Sequence, residues 1–385
     1  MRGVAFRKCL CKNRKWRKKF MIRILQVVNI MDRAGLETML MNYYRSIDRS
    51  QIQFDFLTHR ETPGAYEKEI MTLGGKVYRA PRLYPQNYPA YFTYMSKFFR
   101  EHREYKIIHS HIDTMSAFPL YAAKRAGIPW RIGHSHSSKL DWDAKFPIKY
   151  VAKLLMPYEA NVYCACSEKA AKFMYPGRQV KIIHNAIDMS CFQYNQETRR
   201  SVRKKLGLEG KLVIGHVGRF YYVKNQSFLL DIIKEIKIKN PNVRLLLIGK
   251  GEDEFMLREK TKKLQIQENV IFLIDRSDVC ELYQAMDIFV MPSIFEGLPV
   301  VGIEAQANGL PCLFSDSISK EVLLTKQAKM MSITQPSAVW ADKILTLKRN
   351  AQMDCQKKQS EKGYDVSKKK KKLMKWYIEL IENLK

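Results

Sequence analysis

The sequence predicts an α/β protein of two domains, each a doubly wound, mostly parallel sheet with helices on both faces. Three observations carry this. Short apolar strands alternate with amphipathic helical stretches along almost the whole chain. The alternation lapses once, after about Asp188, and then restarts. The length of 385 residues suits two domains. Strand–helix alternation of this kind builds parallel sheets covered on both faces.

In the first half the expected strands are 22–29, 54–59, 76–80, 106–112, 130–137, 161–167 and 180–185. LETMLMNYYRSI after Gly35 reads as a helix, and so does TMSAFPLYAAKRAG, with Thr114 as its N-cap and Gly127 at its end. The polar run QYNQETRRSVRKKLGLEGK reads as a linker and a short helix. Strands then resume at 211–218, 242–250, 269–274, 287–293, 311–317 and, more weakly, 330–334. The expected division is a basic leader 1–20, domains 21–188 and 189–365, and a terminal helix 366–385. Two open sheets of this kind bind ligands beyond the carboxyl ends of their strands, so two facing domains enclose one cleft.

The formal net charge is +29, which calls for an anionic partner. Residues 1–20 hold many Lys and Arg and no acid. With Phe6, Trp16 and Phe20 the leader reads either as a segment on an anionic membrane surface or as a disordered extension before a true start at Met21. Lys368 to Lys372 read as the solvated face of the terminal helix. The apolar stretch after the leader is interrupted by Arg23 and reads as a buried strand rather than a signal sequence. No run reaches membrane-spanning length. A cytoplasmic protein is expected, peripheral at the inner face of the membrane. The eight cysteines show no zinc spacing and read as reduced buried thiols.

Four stretches carry chemistry, each at the end of a predicted strand. In VGRFYYVKN, Gly218 ends a strand and Arg219 and Lys224 offer two cations beside a helix start, an anion site. In FEGLPVVGIEAQANGLP, Glu296 sits on a loop and Glu304 in the first turns of the next helix, on its cleft side. The backbone N–H groups of 297–301 lie between them. Carboxylates on either side of an anion seat are badly placed to share a proton and well placed to accept bonds from hydroxyls flanking a pyrophosphate. In RIGHSHSS, His134 and His136 share one face of an extended segment. In NIMDRAGLET, Gly35 opens a helix with Glu37 in its first turn, without the full glycine fingerprint of a dinucleotide site. The Asp-x-Asp at 141–143 has no context for a metal, and His109 and His111 read as structural.

The runs GRFYYVKN, ENVIFLIDRSDVCELYQAMDIFVMPSIFEGLPVVGIEAQANGLP and IIHNAID resemble the retaining sugar-nucleotide glycosyltransferases of family 4, with the GT-B fold. MDRAGLETMLMNYYRSID and AAKRAGIPWRIGHSHSS are similar to their polysaccharide-assembly branch. The likeness spans residue 21 to the C-terminus. It implies that Arg219 and Lys224 hold a donor diphosphate and stabilise the leaving group. Glu296 would bind sugar hydroxyls, with Gly297, Leu298, Pro299 and Val300 completing the pocket, and Glu304 would bind the ribose. Gly35 and Gly218 would approach the phosphates, and the loop with Ile274 and Arg276 would carry the base. His134 would stand over the anomeric carbon, making His134, Arg219, Lys224 and Glu296 the catalytic set.

The resemblance implies transfer with retention from a nucleoside diphosphate sugar, expected to be a UDP-sugar, to a lipid-linked saccharide acceptor. The setting would be capsular, exopolysaccharide or cell-wall glycan synthesis. No cofactor or metal is expected, the nucleotide sugar being a substrate. It also implies that the terminal helix returns to the first domain. Ile274 stands where the family's base loop carries glycine, which leaves the base open. Two alternatives remain: a basic nucleic-acid-binding protein, for which no reading motif appears, and a GT-B phosphorylase or synthase acting on soluble glucan.

Overall fold

A computed structural model describes residues 21–140, 145–349 and 361–384. The leader with Cys9 and Cys11, and the Asp-x-Asp at 141–143, lie outside the described residues.

Seven strands form the first sheet: β1 (Ile22–Val27), β2 (Ile52–Thr58), β3 (Val77–Arg79), β4 (Ile107–Ser110), β5 (Trp130–Ser135), β6 (Val162–Ala165) and β7 (Lys181–Ile182). Their order is β3-β2-β1-β4-β5-β6-β7, every neighbour pair parallel. Six form the second: β8 (Leu212–Val217), β9 (Val243–Ile248), β10 (Val270–Leu273), β11 (Ile288–Met291), β12 (Cys312–Ser315) and β13 (Ala328–Met331). Their order is β10-β9-β8-β11-β12-β13, again all parallel. In each sheet the order reverses beside the first strand, β1 or β8. That switch point opens a crevice at the carboxyl end of the strands, and the predicted anion sites follow those two strands.

Apolar runs of both sheets are buried on both faces, as parallel strands between helices require. Leu25, Val27 and Ile108 pack on one side of the first sheet, and Ile24, Ile107 and Ile132 on the other. Asp55 is fully buried on β2 but not isolated. Arg23 holds it bidentately at 2.6 and 2.5 Å, and Tyr105 donates to it at 2.7 Å. A buried charge persists only with such partners.

The last helix, Val366–Glu382, returns to the first sheet, and Leu373, Tyr377 and Leu380 join the core with Ile24 and Ile132. Its start is capped by Asp365, which accepts from the Ser367 N–H at 2.9 Å. Lys368, Lys371 and Lys372 are exposed on its outer face. Thr114 is not an N-cap: it lies inside a short 3₁₀ turn, Asp113–Ser116, that leads into the helix Ala117–Arg125.

One expectation about the cysteines is corrected. Cys191 and Cys280 form a disulfide, with Cα atoms 5.9 Å apart and a sequence separation of 89. The short helix Met189–Phe192 abuts the helix Val279–Ala285, a neighbourhood that no local spacing encodes. Cys164 and Cys166 are free and buried, and Cys312 is buried.

Candidate active site

Two helix starts meet at the cleft. The helix Gly35–Ser46 follows β1, and the helix Val300–Ala307 follows β11. A methyl built at Gly35 would stand 3.8 Å from Val300 Cγ2, so backbone of one domain faces side chain of the other. Neither helix has a side-chain N-cap, which leaves their first N–H groups for another acceptor.

Lys224 and Glu296 are brought together. Lys224 closes a 3₁₀ turn, Tyr222–Lys224, and Asn225 follows in the left-handed region at φ 55°. The Asn225 amide donates to the Pro292 carbonyl at 3.1 Å, and the Ile294 N–H donates to Val223 at 2.8 Å. These bonds tie the loop after β8 to the loop after β11. Glu296 is fixed from the other side by a backbone bridge to Ile318. The result is an ion pair between Lys224 Nζ and Glu296 Oε1. Arg219 points outward, its side chain 69% exposed and 3.8 Å from Glu252. Gly218 lies over His216 Nε2, a buried nitrogen without a hydrogen-bond partner among the described residues.

Glu304 is more enclosed than the sequence predicts. It is 6% exposed, and its carboxylate accepts from the Tyr283 hydroxyl at 3.0 Å. Burial pushes its pKa up to about 7. Across the cleft Tyr66 senses this charge, and its hydroxyl lies 3.0 Å from Thr38 Oγ1. Gly297 faces open space, while Leu298, Pro299 and Val300 are buried.

In the proposed base loop, Ile274 is exposed and Arg276 is ion-paired with Asp278. The residue between them reaches across: Asp275, at φ 49°, accepts from Arg33 at 2.8 Å and lies 3.6 Å from Lys250. Lys250 also pairs with Asp32 at 3.1 Å. Asp32, Lys250, Asp275 and Arg33 thus alternate in sign across the two domains. Lys139 adds a further contact, standing 3.5 Å over the ring of Phe295. Sequence reasoning passed over Lys250. The signal was present in Gly-Lys-Gly at the end of a strand: a methyl at Gly249 or Gly251 would strike the carbonyl of Gly218 or Phe220 at 2.1 Å.

His134 lies within β5 and is fully buried, with Nδ1 3.1 Å from His109 Nε2. His136, just past the strand end, is the partly exposed member of the pair. Its N–H donates to Asp113 at 2.8 Å. His109 and His111 are buried, in keeping with a structural role.

The family models divide along the same lines. "Glycosyl transferase 4-like domain" matches residues 34–173 and "Glycosyl transferases group 1" matches residues 198–366. "Putative glycosyltransferase EpsF" of Bacillus subtilis is 35% identical over 84% of this chain and 86% of its own length. The chain belongs to the glycosyltransferases. Another relative of this glycosyltransferase is the Escherichia coli "UDP-Gal:alpha-D-GlcNAc-diphosphoundecaprenol alpha-1,3-galactosyltransferase", 25% identical over 73% of this chain and 77% of that one. Among solved structures, Anabaena HepE in complex with UDP and glucose superposes with a TM-score of 0.77 at 19% identity, covering 93% of this chain and 99% of that chain. The architecture is GT-B.

Proposed function

We propose that this glycosyltransferase is a retaining member of family 4. It moves a sugar from a UDP-sugar to a lipid-linked saccharide in capsular, exopolysaccharide or cell-wall glycan synthesis. The observation that carries the reading is the convergence of Lys224, Glu296 and the helix start at Val300 on one side of the cleft, with the helix start at Gly35 opposite. Domain 21–188 serves the acceptor and domain 189–365 the donor.

The diphosphate lies on the N–H groups around Val300 and displaces the Lys224–Glu296 pair, so that Lys224 and a swung-in Arg219 neutralise it. Glu296, released, accepts from sugar hydroxyls while Gly297, Leu298 and Pro299 line the sugar pocket. Glu304 receives the ribose hydroxyls, and the loop of Ile274 and Arg276 receives the base. As the glycosidic bond breaks, charge moves onto the diphosphate, where the cations and helix start are already aimed. The acceptor attacks from the face that the diphosphate leaves, giving retention without a covalent nucleophile and without a metal at the diphosphate. His136 supplies the imidazole facing this step.

Two similar proteins support the donor and acceptor classes: the Escherichia coli relative is named for UDP-Gal and a diphosphoundecaprenol acceptor, and HepE holds UDP. Support for a membrane surface comes from the helix Phe146–Glu159. Tyr150, Val151, Leu154, Leu155 and Tyr158 are exposed along one stripe of it, flanked by Lys145, Lys149 and Lys153. No helix among the described residues is long and apolar enough to cross a membrane. A thermal-shift screen with UDP, GDP and ADP tests the donor reading. UDP should stabilise the protein most, and stabilisation by GDP or ADP alone would overturn that choice.

A further inference from the structure

Behind the cleft, the ends of β4 and β5 place four imidazoles in one buried cluster. Rings of His109 and His111 stack at 4.2 Å, and those of His134 and His136 lie tilted at the same centroid distance. One nitrogen from each of His109, His111 and His134 lies within 4.8 Å of the other two. The closest pair, His109 Nε2 and His134 Nδ1, is 3.1 Å apart. Two imidazole nitrogens on one tetrahedral zinc stand about 3.3 Å apart, from zinc–nitrogen bonds of about 2.0–2.1 Å.

The outward nitrogens are held as those of metal-bound imidazoles are. His109 Nδ1 meets the Tyr377 hydroxyl at 2.7 Å, and His111 Nε2 meets the Gln26 side-chain carbonyl at 2.8 Å. The second bond makes His111 Nε2 the protonated nitrogen and leaves Nδ1 with a lone pair, 3.1 Å from His136 Nε2. Such outer partners fix the tautomer and orientation of ligating histidines. Mutual hydrogen bonding does not satisfy the group: His134 Nε2 is fully buried and has no partner among the described residues.

We propose that His109, His111 and His134 bind a divalent transition metal of the zinc class, with His136 beside the fourth position. The donor set is all imidazole. That set suits zinc, copper or nickel and does not suit magnesium or calcium, which take oxygen ligands. The ion is distinct from any metal that would bridge a diphosphate. It clamps β4 and β5 to the terminal helix through Tyr377, and so fixes the strand end that carries His136.

The test uses the full chain without a histidine tag. After dialysis against zinc and desalting, elemental analysis should find about one zinc per chain. Cobalt replacement should give the intense visible absorption of a four-coordinate ion, and stripping with a chelator should lower Tm reversibly. Tyr377→Phe, which removes an outer partner, should weaken the metal by about 10–100-fold. His134→Ala should abolish it, while the surface variant His102→Ala retains it. Less than about a tenth of an equivalent in the wild-type chain would overturn the proposal. So would metal that survives in folded His134→Ala. If that variant fails to fold, the wild-type cobalt spectrum decides: absence of the four-coordinate bands overturns the site.

Discussion

Lys224 and Glu296, one from the loop after β8 and one from the loop after β11, are ion-paired with each other at the cleft. The pair joins two residues to which the sequence assigns separate duties, one to phosphate and one to sugar. In the proposed function, donor binding breaks it. Glu296→Gln releases Lys224 for the diphosphate, so UDP should bind as well as in the wild type or more tightly. Turnover should fall by about 10–100-fold, the scale of a lost charge-assisted hydrogen bond. Lys224→Gln should weaken UDP binding and turnover together. Calorimetry and steady-state rates on the two variants check the contrast.

The ion pairs of Arg33 with Asp275 and of Lys250 with Asp32 join the two domains. Both are partly exposed, so each contributes about 0.2–1 kcal/mol and is screened by salt. Arg33→Ala with Asp275→Ala should raise the donor KM by about 2–5-fold and remove much of its dependence on ionic strength. A KM that keeps the wild-type salt dependence in the double variant would show that this charge set does not govern closure.

Glu304 and Glu37 are both buried, and burial pushes each pKa up to about 7 from the ordinary 4.5. The folded chain holds these protons after the unfolded chain has released them. Stability from this source is therefore present at low pH and lost as pH rises from about 4.5 to about 7, at a cost on the order of 1–3 kcal/mol per group. Glu304→Gln should flatten the fall in Tm over that range. UDP should release a proton on binding near neutral pH, since ribose hydroxyls favour the ionised carboxylate. Calorimetry in buffers of different ionisation enthalpy measures that release.

The Cys191–Cys280 bond links the helices Met189–Phe192 and Val279–Ala285 across a sequence separation of 89. Reduction, or Cys280→Ser, should lower unfolding free energy by about 2–4 kcal/mol in denaturant titrations. Equal stability with and without reductant would show that the link does not constrain the unfolded chain.

Most of the fold was legible because parallel strands buried on both faces must read as apolar runs. β1, β8 and β11 fall inside the predicted segments, and the weak 330–334 run is β13 displaced to Ala328–Met331. Predicted 180–185 shrinks to the two-residue edge strand β7, since an edge with one neighbour needs little length. Within the site, alternation correctly put His134 and His136 on one face but could not tell strand interior from strand end. The Lys224–Glu296 pair, the Asp275–Arg33 pair and the disulfide join residues 72, 242 and 89 positions apart, distances at which local pattern carries no register.

The most direct test is transfer itself: incubation with labelled UDP-sugars and a pyrophosphate-linked lipid saccharide on anionic vesicles, with the anomeric configuration of the product read by NMR. The predicted result is UDP released in step with a product that keeps the donor's configuration, in the presence of a chelator of magnesium and manganese. Consumption of GDP- or ADP-sugars alone, or a product of inverted configuration, would contradict the account.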